Sequence, residues 1–73
     1  AKPKSIKEQQ EFIVSSFPGM GVQTSRLLLE NFKSIKSLVN ASEKELISIK
    51  GIGEKTVKSL LEIFELEYKK KEN

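Results

Sequence analysis

Apolar residues recur at helical spacing along most of this chain, and they nowhere alternate with polar residues over a useful length. That pattern predicts short helices and no strands. Ser5-Ile6-Lys7-Glu8 has the capping-box form, with Ser5 as N-cap and Glu8 reaching back. A first helix is expected from about Ile6 to Ser16, with Phe12 and Ile13 on its inner face. Phe17-Pro18-Gly19 ends it, because Pro18 disfavours helical geometry at Phe17. A second helix is expected from about Val22 to Asn31. It carries Leu27, Leu28 and Leu29 in a row, so at least one leucine should look away from the local core. Lys33-Ser34 reads as a break. Ser34 is a cap for a short third helix with Ile35, Leu38 and Val39 at helical spacing, and Asn40 is a left-handed stop. Ser42-Glu43-Lys44-Glu45 is a second capping box, opening a short fourth helix through Leu46 and Ile47. A fifth starts near Glu54, carries Val57, Leu60, Leu61 and Phe64 on one face, and is expected to run past Leu66 toward Tyr68. The expected fold is therefore all-α, with five short helices. Residues 1–4 form a disordered lead-in, 5–68 the domain, and 69–73 a polar tail that frays.

One segment occurs twice. Residues 17–32 read FPGMGVQTSRLLLENF and residues 49–64 read IKGIGEKTVKSLLEIF, and a shift of 32 positions makes seven of the 16 coincide. Each copy is an apolar residue, a variable one, Gly, an apolar residue, Gly, and then a helical pattern. The first Gly of each pair, Gly19 and Gly51, is expected to hold a positive φ that a Cβ resists. Gly21 and Gly53 stand at helix entrances, where a missing side chain lets another backbone come close. Met20 and Ile52 lie between the glycines and are expected to pin each turn to the core.

A helix start has backbone N–H groups without intrahelical partners, and the helix dipole favours an anion there. Those of Gly21, Val22 and Gln23 in the first copy, and of Gly53, Glu54 and Lys55 in the second, are candidate phosphate donors. The hydroxyls of Thr24 and Thr56, and the long side chains of Gln23, Arg26, Lys55 and Lys58, extend the same surface. Such contacts select no base, so they imply sequence-independent, salt-sensitive binding of DNA. Two equivalent turns suit a duplex, one for each strand across the minor groove. Lys55 and Lys58 favour the second copy, Glu54 opposes it, and the first has no acidic residue between Arg26 and Glu30.

Composition narrows this reading more than it drives it. The net charge of +3 is spread at +1 over each of residues 1–16, 17–48 and 49–73, so placement of cations matters more than their sum. Seventy-three residues make one domain with a modest core. Cys and His are both absent, which removes disulfides, thiol chemistry and the commonest metal ligand. No nucleophile stands with a base, and the glutamates are interspersed with lysines as solvated helix faces. The expectation is therefore no catalytic centre, no metal and no cofactor in this domain. No long apolar run or signal peptide is visible, which implies no membrane partner and an intracellular location.

The paired Gly turns and their helices resemble the tandem helix-hairpin-helix, or (HhH)2, domain, a SAM-like bundle of two hairpins joined by a connecting helix. The resemblance covers about Ile6 to Tyr68. Phe12 to Ser16 ahead of Phe17-Pro18-Gly19, the connector Asn31 to Ile35, Ala41 to Leu46, and Gly51-Ile52-Gly53-Glu54-Lys55 look most like the C-terminal domain of XPF-type structure-specific endonucleases, including archaeal Hef. The resemblance implies a DNA-binding and dimerising part of a repair nuclease that cuts branched or flapped DNA. The catalytic domain would lie elsewhere, using a divalent metal such as Mg. Its Glu-Arg-Lys motif is missing from this sequence. The resemblance further implies pairing with a second copy or a related domain, through an aromatic residue after the last helix. Tyr68 matches that position, with Phe64 and Leu66 as apolar neighbours. By the same resemblance the location is the cytoplasm or nucleoid in an archaeon and the nucleus in a eukaryote. The motif often has a small residue four positions after the second Gly; Ser25 fits, whereas Val57 is bulkier.

Two rival readings remain open at this point. The C-terminal domain of UvrC has a similar pair of Gly turns. A pure protein–protein module would use the turns structurally, with Tyr68 and the Leu27–Leu29 run as its interface.

Overall fold

The computed structural model describes residues 5–70. The lead-in expected at 1–4 and the end of the tail at 71–73 lie outside the described residues. Five helices follow in order: α1 (Ile6–Ser15), α2 (Val22–Phe32), α3 (Ile35–Val39), α4 (Glu43–Ile47) and α5 (Glu54–Glu65). Helix α1 packs on α2 and α4 on α5, making two hairpins, and α3 leans on α2 as the connector.

Serines start three of the helices. The Ser5 Oγ accepts from the Glu8 N–H at 3.1 Å while a Glu8 carboxylate oxygen accepts from the Ser5 N–H at 3.0 Å. Ser42 and Glu45 repeat that exchange at the start of α4, and the Ser34 Oγ accepts from the Ser37 N–H at the start of α3. These caps satisfy amides that the short helices could not satisfy alone.

The core is a single cluster of Val14, Leu28, Leu38, Ala41, Leu46, Ile49, Ile52, Val57 and Leu60, drawn from every helix and from the second turn. Burying each of the larger side chains contributes about 1.5–3 kcal/mol. The rings of Phe17 and Phe64 meet edge to face with centroids 5.4 Å apart. That contact ties the first turn to the end of α5.

Four expectations need correction. Phe12 and Ile13 are exposed, and Val14 is the residue that α1 buries. A helix in a two-helix hairpin has one stripe to bury, and the stripe here passes through Gln10, Glu11 and Val14, which are less exposed than Phe12 and Ile13. None of the three consecutive leucines looks away: Leu28 is buried, and Leu27 and Leu29 pack against the core from either side. The left-handed residue after a helix is Lys33, with φ 73°, whereas Asn40 has φ −93°. Helix α5 stops at Glu65, and Leu66 is already extended.

Candidate nucleic-acid interface

The two Gly turns share one backbone design. In the first, the Met20 N–H donates to the Phe17 carbonyl at 3.2 Å; in the second, the Ile52 N–H donates to the Ile49 carbonyl at 3.2 Å. Gly19 has φ +74° and Gly51 φ +98°, as the spacing predicted. With Pro18 one residue before Gly19, the first turn has the residue pattern of a type II turn, which requires a positive φ at its third position. Met20 is half-buried and Ile52 buried, so the residue between each Gly pair does anchor its turn.

Gly21 and Gly53 are the N-caps of α2 and α5, with extended backbones at φ −110° and −85°. Neither helix receives a side-chain cap. Intrahelical bonding begins only with the Ser25 N–H to the Gly21 carbonyl at 3.0 Å and the Val57 N–H to the Gly53 carbonyl at 3.1 Å. The amides of Val22, Gln23 and Thr24, and of Glu54, Lys55 and Thr56, thus precede the first helical bond of each helix. A Cβ built on Gly21 or Gly53 would meet no atom within 4 Å. The space beside both helix starts is open to an approaching backbone.

The fold brings the two turns together. A Cβ on Gly19 would lie 3.7 Å from the Thr56 Oγ1, and one on Gly51 would lie 3.6 Å from a Leu27 methyl. Each turn therefore rests against the helix that follows the other. Thr24 and Thr56 are half-buried, while Gln23, Arg26, Lys55 and Lys58 are exposed. Ser25 is buried and its hydroxyl donates to the Val22 carbonyl at 2.8 Å; Val57, at the matching place, is buried in the core.

Side-chain charge differs between the copies. Arg26 Nε lies 3.4 Å from an Oε of Glu11 on α1, so its nearest acidic partner in space is a residue fifteen positions earlier in the chain. The linear sequence, in which Glu30 is the next acid, gave no sign of this pair. No acidic residue stands in the first turn of α2, whereas Glu54 occupies that of α5. Lys50, exposed at the place matching Pro18, adds a cation to the second turn that the repeat comparison passes over. Of the apolar residues expected at the C-terminal end, Phe64 is engaged with Phe17, whereas Leu66 is 68% and Tyr68 88% exposed. Among the described residues no group of three or more His, Cys, Asp or Glu could hold a metal ion, and no helix is long and apolar enough to cross a membrane.

Comparison with known proteins agrees with this architecture. The structure of XPF from Aeropyrum pernix superposes with a TM-score of 0.84 and 37% identity over 94% of this chain and 34% of that one. The same protein in complex with DNA superposes at 0.83, with 34% identity over 92% and 34%. A Methanocaldococcus jannaschii protein, whose name provisionally describes an ATP-dependent RNA helicase, is 39% identical over 88% of this chain and 8% of its own length. UvrABC system protein C of Haloarcula marismortui is 33% identical over 78% of this chain and 10% of its own. The chain thus spans a tenth or less of these two relatives and about a third of the XPF chains. The model of the SAM-like helix-hairpin-helix tandem matches residues 13–65, and the chain belongs to that family.

Proposed function

We propose that this chain is a non-catalytic DNA-binding and dimerisation module of an XPF-type structure-specific endonuclease. It would hold the phosphate backbone of junction-containing duplex through the hairpin amides. The observation that carries the reading is the pair of uncapped helix starts, Gly21–Thr24 and Gly53–Thr56, side by side and open to solvent. Uncapped amide donors at a dipole's positive end suit a phosphate oxygen, and Gln23, Arg26, Lys55 and Lys58 flank them. The DNA complex of the XPF neighbour supports the same ligand class. Cleavage, with any divalent metal such as Mg, would belong to another part of the host protein. The likeness to UvrC favours, as a second reading, an excision nuclease as host; the grip would be the same.

Titration with forked, duplex and single-stranded DNA at low salt tests the ligand class. Binding that includes the duplex-containing forms is expected. No binding to any form would leave the protein–protein reading.

Support for pairing with a second copy or a related domain is the exposed apolar end, Leu66 and Tyr68. Phe64 contributes only at its margin, because its ring is shared with Phe17. Tyr68→Ala should shift sedimentation toward the monomer. An unchanged mass would remove Tyr68 as the anchor.

A further inference from the structure

The repeat also duplicates a charge pair. Shifting by 32 positions carries Arg26 onto Lys58 and Glu11 onto Glu43. In the first copy the pair is closed, Arg26 Nε to Glu11 Oε2 at 3.4 Å. In the second, Glu43 and Lys58 make no ion pair. The helices that carry the two carboxylates also differ. Glu11 stands midway along ten-residue α1, which lies against α2, whereas Glu43 is the first residue of five-residue α4.

We propose that Glu11 is a positioning residue that restrains the first hairpin's grip. It holds Arg26 on the α1 side of α2, and a DNA phosphate must draw the guanidinium away from it. This rests on the DNA-binding reading above. Arg26 stands one turn beyond the open amides of α2, and a long helical side chain released from Glu11 favours rotamers that lean back toward the helix N-terminus. The contact to Glu11 is one long approach through Nε, and the Arg26 side chain is 58% exposed against 21% for Glu11. Such a pair is weak in water, whereas guanidinium and phosphate form short, bidentate, charge-assisted bonds. The anchored partner is the carboxylate and the movable one is the arginine. Lys58 has no such restraint.

The test is a double-mutant cycle on duplex affinity at low salt, with E11Q, R26Q and E11Q/R26Q, and with E43Q and E43Q/R26Q as controls for the removal of one negative charge. Thermal unfolding of each variant reports any change in the fold. E11Q should tighten binding by about two- to fivefold more than E43Q does, the size of a weak surface pair. That excess should disappear in the R26Q background. Equal effects of E11Q and E43Q, or an excess that survives R26Q, would overturn the proposal. If neither wild type nor any variant binds DNA, the DNA-binding reading itself has failed, and the restraint falls with it.

Discussion

Among the described residues, three helices begin on serine and two begin on glycine. The serines that open α1, α3 and α4 turn their hydroxyls onto their own helix amides. The glycines that open α2 and α5 have no side chain to offer, and their helix amides receive no side-chain cap. The chain can cap a helix at any of these places, so the uncapped starts are a local choice, repeated at both copies of one turn. Glycine at an N-cap costs only a few tenths of a kcal/mol relative to serine. Little stability is given up for two uncapped helix starts, which the fold then sets next to each other.

The comparison is broken most severely by closing the open space. Gly21→Val and Gly53→Val should each weaken duplex binding by about tenfold or more, with helix content retained by circular dichroism, because a side chain there blocks approach to the amides. The surrounding space and extended backbone admit the new side chain. Loss of affinity and helicity together would leave these glycines a structural role alone. Gly51→Ala acts on the turn instead. A residue with a Cβ at φ +98° is strained, so chemical denaturation should show a loss of about 1–2 kcal/mol. Ser42→Ala removes a self-satisfied cap. It should lower stability by about 1 kcal/mol in the same assay and leave DNA affinity unchanged. Gly53→Ser sharpens the contrast with the smallest change. It should raise stability by a few tenths of a kcal/mol while weakening DNA binding, because the new hydroxyl occupies an amide that phosphate would use. Stability and affinity moving the same way would contradict the division between the two kinds of helix start.

Local chemistry was the legible part of the fold. Capping boxes at Ser5 and Ser42, the serine cap at Ser34 and the positive φ of Gly19 and Gly51 each depend on a few neighbouring residues, and each was readable from spacing. What needed three dimensions was less readable. Phe12 is apolar and only two residues from Val14, yet it faces outward and Val14 is the residue that α1 buries. Lys33, with no glycine-like feature, ends α2 in the left-handed region, while Asn40 ends α3 without entering it. Within the candidate site, the repeated glycines and their helix starts were visible. The packing of Gly19 on Thr56 and the closure of Glu11 on Arg26 join residues far apart in sequence, and no local pattern announces either.

The most direct test of the central claim is the affinity of the wild-type protein for two duplexes of unrelated sequence across a salt series. Backbone gripping predicts equal affinities for the two duplexes, with log K falling linearly in log salt by about 0.9 for each phosphate neutralised. A clear preference for one sequence, or an affinity that does not respond to salt, would contradict it.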